Sequence, residues 1–292
     1  VFTFAGNLEA VPLALIGASY AVAAFPALSE ASTPERRDEF TRILAASSRH
    51  IILWSGVALG LIVVLRAHIV RVVLGTGAFD WDATRLTAAL LALLVAGLVA
   101  QGLALLFSRA LYAVRQSWWP LFYQFAGGVC TVFLAFVFLA MPVTGLSTSL
   151  AALLRVADVP GVSILLLALS ATLGQIFLAG ISLAALRRAA PGLARMLARP
   201  LMDGVVAALF GGAAAYATLV LEGGIAPLTT LLAVFTEGFI AGTVGLIAAA
   251  FALYLVENEE FLIVASALGK LVRIPGARRA ALPPSADEPI QP

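Results

Sequence analysis

The sequence has 292 residues, of which 62% are hydrophobic and only 12% are charged, and its mean hydropathy is +1.03. Because about a quarter of the residues in a soluble domain are charged, this composition excludes an ordinary soluble fold and predicts an all-α polytopic membrane protein. The apolar runs are too long and continuous for the alternating ten-residue strands of an outer-membrane barrel. The single cysteine, Cys130, excludes an internal disulfide.

Seven apolar runs are long enough to cross a membrane as helices, since about 20 helical residues span the hydrocarbon core. The predicted spans cover residues 5–28, 48–74, 83–112, 118–141, 161–186, 203–221 and 228–256. We expect residues 1–256 to form one seven-helix transmembrane lobe. Residues 257–292 are predicted to form a tail that lies partly along the membrane and is then disordered. The chain begins at Val1 without the pattern of a signal peptide, which we expect of a piece of a longer protein.

The first predicted span carries small residues that repeat at heptad spacing. This stripe consists of Asn7, Ala10, Ala14, Gly17, Ala21 and Ala24. Small side chains let a neighbouring helix approach closely, which predicts packing through Ala14, Gly17 and Ala21. The polar residues Asn7 and Glu9 leave a second interpretation open, in which the helix lines a transport cavity, since polar groups inside membrane spans tend to be functional.

Two polar connectors are predicted to lie on the membrane surface. In residues 29–50, Thr33 and Pro34 suit the start of a short amphipathic helix with Phe40 on its apolar face. Residues 187–200 form an equally polar connector after the fifth span. The connector at residues 142–161 has room for a further short surface helix.

Few polar side chains lie inside the later spans, and they extend the set of candidates for a substrate path. The candidates are Asn7, Glu9, Gln101, Gln124 and Glu237. Glu237 stands beside Gly238 and Gly242, whose spacing favours a packed helix interface. Whether Glu237 only bonds another helix or also titrates during transport is left open by the sequence. His68, near the end of the second span, is interpreted as a packed or interfacial residue because no second His stands at metal-binding spacing.

The placement of Lys and Arg predicts the orientation of the chain. One side of the predicted bundle holds Arg66, Arg71, Arg85 and Arg155. The other 14 of the 18 basic residues lie on the opposite side, which is therefore predicted to be cytoplasmic together with the C-terminus. On this prediction Ser32 and Ala190 lie in the cytoplasm, and Gly77 and Ser147 lie outside.

The sequence contains no nucleophile–base set, no glycine-rich phosphate loop and no cluster of Cys and His residues. Acidic pairs such as Asp38–Glu39 and Asp287–Glu288 fall in connectors or in the tail, where solvated charges are ordinary. We therefore expect no enzyme activity, no cofactor, no metal site and no nucleic-acid partner. A transporter or a structural membrane module fits this pattern.

Several motifs in the first 120 residues are similar to those of the MurJ/MviN family, the lipid II flippases of peptidoglycan synthesis. The first span reads Pro-Leu-x-Leu-Ile-Gly from Pro12 and Phe-Pro-x-Leu-Ser from Phe25, which resembles the family's eighth helix. The loop LGTGAFD resembles the turn after the family's ninth helix, and LLFSRALYAVRQSWWP resembles the segment after its tenth. The matching residues of that segment are Arg109, Tyr112, Ala113 and Pro120, with Gln116-Ser117 in place of the family's Asp-Thr.

The resemblance implies the C-terminal lobe, helices eight to fourteen, of a two-lobe flippase in the multidrug/oligosaccharidyl-lipid/polysaccharide exporter superfamily. It also implies alternating access, lipid II as substrate and a place in the bacterial cytoplasmic membrane. The implied partners are the N-terminal lobe, membrane lipids and proteins of cell-wall synthesis. Where the family commonly has Arg before Leu8, this chain has Asn7, which lacks the fixed charge that attracts a diphosphate. Two alternatives stay open, an exporter of another polyprenyl-linked glycan and a non-transporting scaffold.

Overall fold

The computed structural model describes residues 1–75, 80–116, 118–140, 144–222 and 230–272, and within these ranges all regular structure is helical. The α-helices are α1 (Phe2–Pro12), α2 (Ser19–Glu30), α3 (Arg37–Leu74), α4 (Trp81–Val95), α5 (Leu98–Ala113), α6 (Trp118–Ala140), α7 (Thr144–Leu153), α8 (Ile164–Ala185), α9 (Leu193–Leu221), α10 (Leu231–Leu255) and α11 (Glu259–Val272). Among the described residues, six helices are long and apolar enough to cross a membrane, with the joined α1 and α2 counted as one. The number is seven if the bent pair α4 and α5 is also one span. Gly77 and the predicted span ends at 141 and 228 lie outside the described residues.

Two of the predicted surface connectors are instead the first turns of long helices. α3 runs without a break from Arg37 into the second span, and α9 begins at Leu193, inside the second connector. The prediction of a separate element before the second span is wrong because residues 37–50 contain no Gly or Pro that would stop a helix. In the second connector Pro191 and Gly192 separate the preceding helical turn from α9, which then continues from Leu193 into the next span. Ser48 donates back to the Leu44 carbonyl at 2.7 Å, and α9 accommodates Pro200 within its length. The short helix expected in residues 142–161 is α7.

The third predicted span is two helices rather than one. α4 ends at Val95, α5 begins at Leu98, and the two axes are bent by 46°. Gly97 stands in the break, where the absence of a Cβ atom removes a steric barrier to a sharp change of direction.

The first span is also interrupted, and its inward face changes phase at the interruption. A π-helical turn, Leu13–Ala18, follows Pro12 and joins α1 to α2. Because a π-turn holds more residues than an α-turn, the positions that face inward do not follow one heptad stripe. Gly17 and Ala21 are buried, whereas Ala14 is exposed. Contrary to the prediction, Ala14 therefore lies outside the buried face of this span.

Glycines bring α3, α9 and α10 into close contact along their backbones. A Cβ atom built on Gly56 of α3 would lie 2.9 Å from the Cα atom of Gly204 in α9, so only a hydrogen atom fits there. A Cβ atom on Gly211 of α9 would lie 3.0 Å from the Ala249 side chain of α10. Close approach through small residues is the usual way in which helices associate in lipid. α3 also packs against α4 and α5, so it is the central helix of the bundle.

Two apolar clusters fill the two ends of the bundle. At the end where α2 stops and α9 begins, which we call the basic end, Phe40, Leu111 and Leu186 pack together. At the opposite end, where α3 stops and α4 begins, Val70 and Val156 belong to a second cluster. The tail helix α11 follows α10 at the basic end.

Candidate functional site

The break between α4 and α5 frees a backbone carbonyl inside the bundle. The Gly97 N–H donates to the Leu94 carbonyl at 2.8 Å, so the Leu93 carbonyl loses the partner that a continuous helix would give it. The Thr172 hydroxyl of α8 replaces that partner and donates to the Leu93 oxygen at 2.7 Å. Because Thr172 is buried, this bond satisfies a carbonyl group that water does not reach.

A buried carboxylate lies beside this break. Glu9 of α1 is only 8% exposed, and its carboxylate accepts a hydrogen bond from the Gln101 side chain in the first turn of α5. A Cβ atom built on Gly97 would lie 3.5 Å from the Gln101 amide nitrogen and 3.6 Å from the Thr172 Cα atom. Glu9, Leu93, Gly97, Gln101 and Thr172 therefore form one contiguous polar group, which we call the bend cluster.

The bend cluster joins the two interrupted spans. About two turns beyond Glu9, a Cβ atom built on Gly17 would lie 2.8 Å from the Cα atom of Gly102, so the two backbones touch there as well. Irregular backbone at membrane depth is tolerated only where it is buried in protein or lines a cavity, and interrupted helices form substrate and ion sites in many transporters. Proton uptake by Glu9 would convert one acceptor oxygen into a donor and so change its contact with Gln101.

A second acidic group inside a span lies between α10 and α3. Oε2 of Glu237 is 3.5 Å from Nε2 of His68, and the two side chains are 11% and 19% exposed. Nδ1 of His68 is buried and has no hydrogen-bond partner among the described residues. Cβ atoms built on Gly238 and Gly242 would lie 3.1 Å from His68 Cβ and Leu65 Cδ1, so the glycines let α10 approach α3. The structure gives Glu237 a partner on another helix, and its titration during transport stays a prediction.

The other two substrate-path candidates face outward. Asn7 is exposed on α1 while Glu9, two residues later, is buried, because such neighbours point to nearly opposite sides of a helix. Gln124 is exposed on α6. The structure thus brings Glu9 and Gln101 together, leaves Asn7 and Gln124 outside the cluster, and gives Glu237 a different partner.

At the basic end, polar side chains fasten α11 to the bundle. The Asn258 amide donates to the buried carboxylate of Asp203 in α9 at 2.8 Å, while its oxygen accepts from a backbone N–H in the first turn of α11. Oε2 of Glu260 lies 3.3 Å from Nε2 of His50, whose ring stacks on Tyr20 with 5.3 Å between centroids. These contacts tie the tail helix to α3 and α9, an arrangement that the sequence did not predict.

At the opposite end, Arg85 of α4 holds the loop between α7 and α8. Its guanidinium donates to both carboxylate oxygens of Asp158, at 2.6 and 2.7 Å, and also to the Arg155 carbonyl. The hydrogen bond from Arg85, assisted by one from the Asp158 backbone, keeps the pKa of the Asp158 carboxyl below its ordinary value. This bidentate pair fixes the position of the loop, and of Arg155 within it, against α4.

Sequence reasoning missed Gly97, Thr172 and His68 as members of these sites. A glycine in the middle of a predicted span is a signal for a break, and Gly97 carried that signal. Nothing in the local sequence marks Thr172, because its partner Leu93 lies 79 residues away and is a backbone group. The partner of Glu237 is His68 on the second span, which is even more distant in sequence.

Comparison with protein families gives a match over most of the chain. The family described as lipid II flippase MurJ matches residues 2–236. The chain belongs to the MurJ lipid II flippase family. Among the curated proteins, none matches the chain.

One solved structure extends the comparison of this MurJ-family chain to its fold. It is described as a lipid II flippase MurJ in an inward closed conformation, and it superposes with a TM-score of 0.61 at 16% sequence identity. The match covers 88% of this chain and 47% of that one, so the chain spans about half the length of the protein it matches. At this level of identity the likeness concerns the fold.

Proposed function

We propose that this MurJ-family chain is the C-terminal lobe of a flippase that moves lipid II across the bacterial cytoplasmic membrane by alternating access. The family match over residues 2–236 and the coverage of about half of a MurJ structure support one lobe of a two-lobe transporter. On this proposal the partners are the N-terminal lobe, membrane lipids and the lipid-linked substrate, and cell-wall synthesis proteins are further candidates. No covalent bond changes, so the protein is a transporter rather than an enzyme.

The bend cluster is the observation that carries the proposal. It connects two spans that are both interrupted, and an interruption lets the halves of a helix change direction without unwinding elsewhere. In this structure the hydrogen bond from Gln101 to Glu9 and the contact of Gly17 with Gly102 hold the two spans together. We expect the bond between Glu9 and Gln101 to differ between the states that open to the two sides of the membrane.

Export of lipid II tests the proposal in bacteria depleted of their own flippase. The full-length protein that contains this chain should restore growth, and lipid II should become accessible to an enzyme added from outside. Glu9→Leu leaves the Gln101 amide without its acceptor and should reduce export about tenfold or more at unchanged abundance, since a buried polar group left without its partner costs about 1–3 kcal/mol. Gln124→Leu removes an exposed polar group from another span and should export normally. Normal export by Glu9→Leu would refute a role for the bend cluster.

One observation favours a second function, a membrane scaffold that does not transport. Asn7 is exposed on α1 at the position where the family resemblance has Arg, so this helix offers no fixed positive charge to a diphosphate. An abundant protein that restores neither growth nor export, yet holds cell-wall synthesis enzymes in a complex, would support the scaffold. Export of a different polyprenyl-linked glycan would support the third alternative.

The proposal also sets the orientation, with the basic end and the C-terminus in the cytoplasm. Single cysteines can be introduced by Ser32→Cys and Ser147→Cys in a Cys130→Ala background, whereas Ala190 is buried and would stay unlabelled in either orientation. An impermeant maleimide added to intact cells should label only the Ser147→Cys protein. Labelling of Ser32→Cys instead would invert the orientation.

A further inference from the structure

A polar cavity lies at the basic end, where the first turn of α11 meets α3 and α9. Its volume is about 140 Å³. One water molecule needs only about 10–15 Å³ of such space, so the cavity has room for a larger polar group. Its walls carry charged side chains of both signs. The cations are Arg49 of α3 and Arg199 of α9, and the anions are Asp203 of α9 and three acidic residues at or just before the start of α11, namely Glu257, Glu259 and Glu260.

The guanidinium of Arg49 is the most incompletely satisfied group in the cavity. Its Nη1 lies 3.5 Å from Glu259 and 3.7 Å from Glu260, and neither contact is a hydrogen bond. Its Nε is buried and has no hydrogen-bond partner among the described residues. The Glu259 side chain is 78% exposed, and Glu260 also faces His50 at 3.3 Å, so neither carboxylate compensates Arg49 closely. An anionic oxygen in the cavity would accept hydrogen bonds from these free donors.

The α9 wall of the cavity presents acceptors instead. The Asp203 carboxylate is buried and accepts a hydrogen bond at 2.8 Å from the amide of Asn258, which is a neutral partner. Within the described ranges no Lys, Arg or His lies within ion-pair distance of it. Pro200 has no N–H, so the Met196 carbonyl one turn earlier lacks its usual helical donor, and both residues line the cavity. Because a buried carboxylate without a cation is unfavourable, a cationic N–H group in the cavity would stabilise this wall.

Arg199 and Glu257 add one free charge of each sign. Both are exposed, and neither side chain has an ion pair or a hydrogen bond in the part of the chain that the structure describes. Other arginines at the basic end are exposed as well, but Arg195, one turn earlier on α9, does not line the cavity. The cavity therefore suits a ligand that carries an anionic oxygen and a cationic N–H group together.

The position of the cavity at the ends of membrane spans points to a lipid headgroup. Leu201 and Met202, next to Asp203 in the chain, are 42% and 70% exposed, and Tyr254 is exposed one residue before the end of α10. Exposed apolar side chains on a span contact lipid, and Tyr is enriched at the level of the headgroups. Phosphatidylethanolamine combines a phosphate with an ammonium group that has N–H donors. The choline group of phosphatidylcholine has no N–H, and phosphatidylglycerol has no cation.

We propose that this cavity binds the headgroup of phosphatidylethanolamine from the membrane leaflet at the basic end. Arg49 and Arg199 donate to the phosphate, while Asp203 and Glu257 accept from the ammonium group. The bound headgroup thereby bridges α3, α9 and the start of α11. This site goes beyond the proposed function and does not depend on it, because its charges lie away from the bend cluster and involve no transported lipid.

Lipid binding by the purified full-length protein tests the proposal. The protein in detergent micelles is titrated with single phospholipids, and the bound lipids are counted by native mass spectrometry. Phosphatidylethanolamine should bind about tenfold or more tightly than phosphatidylcholine or phosphatidylglycerol, since it alone provides hydrogen-bonding partners for the charged groups of both walls.

Substitutions in the walls of the cavity test the residues. Arg49→Gln and Asp203→Asn should each weaken the binding of phosphatidylethanolamine about tenfold, and Asp203→Asn keeps an acceptor oxygen for Asn258. Arg199→Gln should weaken it about threefold or more; this residue is on the surface, so the test stays valid if a buried variant fails to fold. Arg195→Gln is the matched control outside the cavity and should change binding less than about twofold.

Four results would overturn the proposal. Unchanged affinity in both Asp203→Asn and Arg199→Gln would exclude these residues from the site. Equal binding of phosphatidylcholine would show that no N–H donor is recognised, and equal binding of phosphatidylglycerol would show that no cation is. Competition by soluble phosphoethanolamine at the same concentration as the lipid would make the ligand a soluble compound.

Discussion

Replacement of Gly17 by alanine tests how tightly the first span packs on the third. A Cβ atom at this position would lie 2.8 Å from the Gly102 Cα atom and 3.1 Å from Leu13 Cδ1. Two carbon atoms attract best at about 3.5–4.0 Å, so both contacts are too short. The Leu13 side chain can rotate away, but Gly102 is backbone. The two spans must therefore separate by roughly 0.7 Å, the difference between 2.8 Å and the lower limit of that range.

The change in the free energy of unfolding caused by Gly17→Ala is the sum of opposing contributions. Overpacking in a packed interior costs about 1–3 kcal/mol, while the higher helix propensity of alanine returns at most about 1 kcal/mol. Separation of the spans also stretches the hydrogen bond between Gln101 and Glu9 two turns away, which adds to the loss. We expect Gly17→Ala to lower the free energy of unfolding by about 1–3 kcal/mol.

Gly6 provides a matched control in the same span. A Cβ atom built there meets no other atom within 4 Å, so Gly6→Ala should be neutral or stabilising by up to about 1 kcal/mol. The free energy of unfolding of both variants can be measured in mixed micelles by titration with a denaturing detergent. If Gly17→Ala were as stable as Gly6→Ala, the two spans would not be in close contact at this point.

Three further predictions concern the polar contacts. Thr172→Val should cost about 1–3 kcal/mol because the Leu93 carbonyl is left unsatisfied, and Thr172→Ser should retain most of the stability; equal losses in the two variants would contradict the hydroxyl as the source of the effect. Glu237→Leu should destabilise by a similar amount because His68 loses its polar partner, whereas Glu237→Gln keeps an acceptor oxygen and should recover most of the loss in the same unfolding assay. The depressed folded-state pKa of Asp158 means that its carboxylate contributes stability above the ordinary value of about 3.9 and loses it as the pH falls through the lower folded value. The difference in stability between wild type and Asp158→Asn should therefore disappear in strong acid, and a difference that is constant with pH would contradict the pairing.

The helical membrane class could be predicted from the sequence because each crossing of the bilayer requires about twenty apolar residues. The hydropathy of the sequence shows directly where such stretches occur. The true start of α3 could not be read in the same way. Hydropathy falls between Arg42 and His50, yet these residues form helix readily and are held by the packing of Phe40 and Leu44 at the basic end. A fall in hydropathy marks the edge of the apolar region, which is a different boundary from the end of a helix.

In the candidate site as well, the sequence indicates which residues are unusual, whereas their contacts depend on how the helices pack. Glu9 and Gln101 were both candidates because each is a polar residue in an apolar run, but their pairing depends on how two distant spans pack. The error at Ala14 has a local cause, since pattern reasoning assumes a constant helical period and the π-turn after Pro12 changes it. Gly17 lies inside that turn and Ala21 follows it, and both are buried.

The separation of 92 residues between Glu9 and Gln101 has a consequence for how the protein is made. The ribosome adds about 5–20 residues each second, so Glu9 is synthesised roughly 5–20 s before its partner exists. Throughout that interval the first span carries a carboxyl group whose acceptor oxygens have not met the amide that they bind in the finished protein. The hydrogen bond from Gln101 to Glu9 can therefore form only after the third span has been synthesised, so the two interrupted spans acquire their polar contact late.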